Sequence, residues 1–390
     1  MPTLRVALAL IALLAAACGR PPQPVRPTGA TGECVPPARW VLPATHAERP
    51  TPAIIARAAR SHVVLLGEYH DHPDDHRWQL QTVAALGAQH PSVVLGFEMF
   101  PRRTQPVLDR WVAGELDERA LLRETDWPRV WGFPAELYLP LLQFARLNRV
   151  PAQALNVDRS LVARVGREGW AAVPVGEREG VSDPAPASPA YEAFLSQAMA
   201  AHGTGQASDE AGRRHFVEAQ LTWDRAIAES LMAAARAHPG SLVIGIMGVG
   251  HLEHGYGVPH QLAALGAGRV TVLLPWEPGR DCATLAPDLA DAVFGIPPSP
   301  EEPDGRPRLG ITLARAEHGV RVSEVTAGSI AAATGLRRGD VIIEAAGAPM
   351  MSPGDLRAVV DAQAEGTWLP LIVRRRGRTL KLVARFGRRP

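Results

Sequence analysis

Short apolar runs broken by glycine divide the first three quarters of the chain. Val63-Val64-Leu65-Leu66, Val93-Val94-Leu95-Gly96-Phe97 and Leu242-Val243-Ile244-Gly245-Ile246-Met247 are continuous rather than periodic. A short apolar run ending in glycine reads as a buried strand entering a tight turn. Strands are therefore predicted at 62–66, 92–97, 151–157, 241–247 and 269–274. Between the first two, Pro73-Asp74-Asp75 starts a helix, with proline at its first position and acids complementing the helix dipole. Trp78, Val83 and Leu86 then recur at near-helical spacing. Strand, helix and strand within about 35 residues make a βαβ unit and a parallel pair. From Pro101 to His238 the pattern is mostly helical, interrupted by 151–157 and by a loop over 171–190. The fold class is α/β: a mostly parallel sheet flanked by helices, with a helical insertion over about 101–238.

Residues 296–307 are rich in proline and read as a linker. A small β-rich domain over 308–388 follows, which closes with two strand-like runs. The main domain is placed at 49–295, preceded by a Pro- and Gly-rich flexible tether at 19–48. Residues 1–18 read as a signal peptide: Arg5, an apolar stretch from Val6 to Ala17, then Cys18. A cysteine after Leu14-Ala15-Ala16-Ala17 resembles a lipobox, which makes Cys18 the lipidated residue of a cell-envelope, outer-membrane lipoprotein. Export permits a disulfide between Cys34 and Cys282. A net charge of +1 gives no case for nucleic acid as a partner.

The chemistry concentrates at two strand ends. Gly67-Glu68-Tyr69-His70 and Gly248-Val249-Gly250-His251 are both Gly-x-x-His turns. Turns at the carboxyl ends of parallel strands build the ligand site of an open α/β sheet. His70 and His251 are thus expected to meet at one edge, with Glu68, and with Glu98 from the third strand. As a site residue, His251 is expected to contribute little to folding stability. The plainer alternative is that each histidine caps its own turn. His72 reads as a solvated turn residue, and His76 faces inward or packs under the sheet edge. Trp127, Trp131, Phe133 and Tyr138, with Phe97, Met99 and Phe100, read as core or as the wall for a flat apolar ligand.

Gly67-Glu68-Tyr69-His70-Asp71 with His76, then Phe97-Glu98-Met99, then Gly248-Val249-Gly250-His251 resemble the ChaN-type haem-binding uptake lipoproteins of the Tiki/TraB superfamily. The stretch Trp131–Leu142, with Tyr138-Leu139-Pro140-Leu141, is similar too, and the resemblance covers about residues 50–280. It implies an α/β domain with a smaller helical domain, a lipid anchor, a homodimer and haem as cofactor and partner. Tyr138 is the candidate axial tyrosine and Tyr256 the second; His70, His251, Trp131 and Met99 complete the candidate haem site. Tiki relatives instead hold a divalent metal, such as zinc or manganese, on paired Gly-x-x-His motifs and glutamate, and hydrolyse peptides. On that alternative His70, His251, Glu68 and Glu98 bind metal, and Glu68 or Glu98 activates water. A scaffold with a degenerate site is the third reading. Leu309-Gly310-Ile311 and Gly335-Leu336-Arg337-Arg338-Gly339-Asp340-Val341-Ile342 resemble a PDZ domain. That resemblance implies an extended or C-terminal peptide partner, with its carboxylate at Leu309, Gly310 and Ile311.

Overall fold

Strand ends that must meet need strands held in register, and the main sheet supplies this. The computed structural model describes residues 33–201, 210–297, 308–316, 319–364 and 366–387. Eight strands form the main sheet: β1 (Trp40–Leu42), β2 (Ala47–Arg49), β3 (Val63–Glu68), β4 (Val93–Pro101), β5 (Ala152–Asn156), β6 (Leu242–Gly248), β7 (Val270–Trp276) and β8 (Ala292–Gly295). Their order is β2-β1-β8-β7-β3-β6-β4-β5. Every pair from β8 to β5 is parallel, and β1 and β2 add an antiparallel edge. β3, β4 and β6 are buried along their whole length. Helices on both faces of a parallel sheet produce that burial, which is why these strands are continuously apolar in sequence.

Register levels the strand ends. Glu68 pairs with Gly248 at the ends of β3 and β6, and Phe97 of β4 pairs with Ile246. Glu98 therefore emerges beside Gly248. The helix Pro73–Gln89 returns the chain from β3 to β4 and buries Trp78, Val83 and Leu86. The helical region is not one insertion. β5 belongs to the sheet and splits it into a set between Gln105 and Leu147 and a second set ending in the long helix Glu210–Ala237.

The tether expected over 19–48 is shorter than that at its C-terminal end. Trp40 is buried, with its ring 5.0 Å from Phe294 and 5.8 Å from Trp78, and β1 pairs with β8. Three-residue strands carry too little pattern to be read from sequence, and here tertiary pairing makes them. The signal peptide, lipobox and Cys18 lie outside the described residues, as does most of the Pro-rich linker. Cys34 and Cys282 are each disulfide-bonded. Among the described residues, no helix is long and apolar enough to cross a membrane.

The C-terminal sheet contains β9 (Ile311–Arg315), β10 (Val320–Val325), β11 (Val341–Ala345), β12 (Ala348–Pro349), β13 (Trp368–Arg375) and β14 (Arg378–Arg385). It runs β14-β13-β11-β10-β9 and is antiparallel throughout, with β12 paired to β11. Its core holds Leu309, Val320, Ile342, Leu371 and Phe386.

If β1 is part of the fold, Trp40→Ala should cost about 3–5 kcal/mol of unfolding free energy, the usual loss for a buried tryptophan. Urea denaturation measures it. A loss below about 1 kcal/mol would return this segment to the tether.

Candidate functional site

The turn after β3 is organised by one carboxylate. Glu68 is 1% exposed. Its Oε1 accepts from the Tyr138 hydroxyl at 2.9 Å and lies 2.9 Å from His70 Nδ1. Its Oε2 lies 3.3 Å from His76 Nδ1. His76 Nε2 reaches the His70 carbonyl oxygen at 3.2 Å, which ties the helix start to the turn. A buried carboxylate needs such partners, because desolvation without them is prohibitive. Burial pulls the His70 imidazole down, but the Glu68 hydrogen bond and the Glu98 and Glu68 charges leave it raised.

A second carboxylate organises the ends of β4 and β6. Glu98 Oε2 accepts from the Gly248 N–H at 2.7 Å, and Oε1 lies 3.4 Å from His251 Nε2. The other ring nitrogen, Nδ1, lies 2.6 Å from Asp224 Oδ1. Gln220 approaches the same nitrogen at 3.1 Å, and Tyr191 donates to Asp224 Oδ2 at 2.7 Å. Burial pulls His251 down, yet the Glu98 charge and the bonds to Asp224 and Glu98 raise it to about 10. Burial pushes Glu98 up, but the His251 charge and hydrogen bond, His70 and the Gly248 N–H lower it to about 2. His251 is thus an imidazolium clamped between two carboxylates.

The two clusters touch at Gly248. A Cβ there would stand 2.9 Å from His70 Cε1, 3.2 Å from His70 Nε2 and 3.8 Å from Glu98 Oε2. Glycine lets the His70 ring lie against β6. His70, His251, Glu68 and Glu98 therefore share one sheet edge. Trp131 and Phe133 flank the His70 ring at 4.7 and 5.0 Å between centroids.

Several candidates stand elsewhere or are already engaged. Tyr138 is fully buried and its hydroxyl is spent on Glu68; burial first, then the Glu68 charge, hold the phenol well above its usual range. It offers no axial tyrosinate in this arrangement. Tyr256 joins a different cluster with Tyr191, Phe194 and His254. Met99 and Trp131 are buried, and they border a cavity of about 200 Å³. Glu68 and Glu98 bond to His70 and His251, and the four residues also contact Tyr138, His76, Asp224 and Gly248. Among the described residues the group whose ligand atoms converge within 4.8 Å is instead His72, Asp75 and Glu277. Sequence reading missed Asp224, Gln220 and Tyr191. Asp224 is a fully buried acid in a helix whose other buried residues nearby include Ala219, Leu221 and Ile227, and no local motif marks it.

His251 is 7% exposed and lies between two acids, so the expectation that it adds little to stability does not hold. His251→Ala leaves Glu98 and Asp224 uncompensated and should cost about 3–5 kcal/mol, as breaking a buried ion pair does. The proton it holds makes this pH-dependent. The folded value near 10 exceeds the ordinary 6.5, so the contribution is full below pH 6.5 and is lost as pH rises toward 10. Urea midpoints of the natural chain should fall across that window, and the fall should be smaller in His251→Gln. Parallel slopes in both proteins would remove the clamp as the cause.

Comparison with known proteins bears on the whole arrangement. A family model described as haem-binding uptake, Tiki superfamily, ChaN matches residues 54–262. A PDZ domain model matches residues 307–384. No curated protein sequence matches the chain. Among solved structures, the fold is similar to ChaN of Campylobacter jejuni, described for cofacial heme binding, at 17% identity and a TM-score of 0.52. That match covers 65% of this chain and 95% of that one. The HtrA3 PDZ domain bound to a phage-derived ligand is 24% identical over 20% of this chain and 82% of that one, at a TM-score of 0.19. A serine endoprotease from Yersinia pestis is 25% identical over 22% of this chain and 30% of that one, at a TM-score of 0.20. With its paired strand-end histidines, its parallel sheet and the matched span of 54–262, the chain belongs to the ChaN haem-binding uptake family of the Tiki superfamily and carries a PDZ domain over 307–384.

Proposed function

We propose that this chain binds haem at the open edge of the main sheet and serves haem uptake in the cell envelope. One observation carries the reading. His70 keeps 29% of its side chain exposed, and Glu68 holds its Nδ1. A carboxylate on one ring nitrogen fixes the tautomer and leaves the other for a metal, and imidazole is an established haem-iron ligand. Trp131 and Phe133 give the ring apolar neighbours suited to a flat macrocycle. The cavity that Met99 and Trp131 border, about 200 Å³, is below the roughly 300–1,000 Å³ of a pocket that encloses a ligand of drug size. Haem would rest against the edge with one face open. The Campylobacter jejuni relative, whose haem binding is described as cofacial, is consistent with such a site. A second copy of the chain would cover that face.

Protein from haem-fed cells should show a Soret band. His70→Ala should weaken haem binding by more than about tenfold, since even outer-shell partners of a metal ligand cost that much. An absent band, or one that His70→Ala leaves unchanged, rejects the reading.

The PDZ domain would recruit a peptide partner. β9 is the outer strand of its sheet, and an edge strand accepts a peptide as an added strand. Leu309, Gly310 and Ile311 precede or open it, with Gly310 in the left-handed region at φ +75°. A peptide carboxylate would sit on their N–H groups. Anchoring would come from lipidated Cys18, so Cys18→Ser should release the protein from membranes into the soluble fraction. A mutant that still pellets with membranes contradicts the anchor.

A further inference from the structure

A second group of ligating side chains lies one turn away from the haem edge and plays no part in it. His72 caps the start of the helix Pro73–Gln89, and Asp75 lies in that helix's first turn. Glu277 follows the last residue of β7. Because β7 pairs in parallel with β3, the turns that leave the two strands emerge side by side. One atom from each residue lies within 4.8 Å of the others.

Asp75 is fully buried. Its Oδ2 accepts from the Tyr69 N–H at 2.8 Å, which fixes the carboxylate plane. Its Oδ1 and Glu277 Oε1 are both buried, and the two carboxyls bond to each other. That glutamate oxygen lies 3.1 Å from His72 Nδ1. The guanidinium of Arg280, close by, is committed to Glu253 at 2.9 Å and to the Tyr69 hydroxyl at 3.2 Å. Two acids buried face to face hold either a proton or a metal ion between them, and the His72 ring nitrogen stands at the same point.

We propose that His72, Asp75 and Glu277 form a binding site for a divalent transition-metal ion of the zinc or manganese class. One imidazole and two carboxylates suit these ions. Three protein ligands leave coordination positions for water or for a ligand group. The side chains of His72 and Glu277 are 45% and 24% exposed, so an ion reaches the site from solvent. The Tyr69 N–H is the outer-shell bond that orients Asp75 toward the ion. This site differs from the quartet His70, His251, Glu68 and Glu98, and it stands whether or not haem binds beside it.

The test uses the full chain, free of haem and stripped of metal with a chelator. Titration with zinc and, separately, with manganese is followed by calorimetry, and bound metal is counted by mass spectrometry. One equivalent of at least one of the two ions per chain is expected. His72→Ala and Glu277→Gln should each weaken binding by more than about tenfold. Both positions are partly exposed, so metal-free unfolding temperatures should match the natural chain and show that the variants fold. Asp75→Asn should abolish binding, but it is buried and is read only if it folds. Failure of the natural chain to bind either ion overturns the proposal. So does binding that survives both His72→Ala and Glu277→Gln, which would place the ion elsewhere.

Discussion

The ion triplet of Glu98, His251 and Asp224 holds the functional edge together. It joins β4, the turn after β6 and the long helix Glu210–Ala237, elements far apart in the chain. All three residues are buried. Buried charges survive only when they compensate each other, so none of the three can move or change alone. Glu98 also accepts the Gly248 N–H, which binds the glycine turn to the same knot. The edge is thereby fixed before any ligand arrives, as a binding site on rigid elements requires.

Glu68 does a related task on the neighbouring strand with a different outcome. It is equally buried, yet one of its partners, His70, remains partly open to solvent. The two glutamates have matching positions at adjacent strand ends and unlike roles. Glu98 immobilises its histidine between two acids. Glu68 holds its histidine by one ring nitrogen only. Tyr138 and His76 complete the Glu68 shell and tie it to the helical layer. The tyrosine thereby serves geometry, not ligation, in this arrangement.

The turn between β3 and its helix carries two sets of polar groups that face different ways. Glu68, His70 and His76 look toward β6 and the aromatic layer, while His72 and Asp75 look toward β7. Extended backbone would put residues 70 and 72 on one side; the tight turn closed by the His72 N–H on the Tyr69 carbonyl oxygen at 2.9 Å separates them instead, and the parallel neighbours on each side of β3 supply the partners. A crowded run of histidines and acids thus divides into two clusters rather than one.

Much of this was legible in the chain. Continuous apolar runs marked β3, β4, β6 and β7, because strands covered on both faces need no polar alternation. The glycine-histidine turns marked the edge, and Gly335 to Ile342 marked the second domain. What the sequence could not express was pairing over distance. β1 and β2 are three residues each and exist through their neighbours. Asp224 lies in mid-helix with no motif around it, and only the packing of that helix on β6 brings it to His251. Tyr138 could be placed among aromatics but not turned toward Glu68, 70 positions earlier. Glu277 reads as an ordinary loop acid until β7 is set beside β3. Local pattern determined which segments became strands and which turns carried chemistry. Tertiary structure decided which charge met which, because ion pairing depends on distances of a few ångströms that no periodicity records.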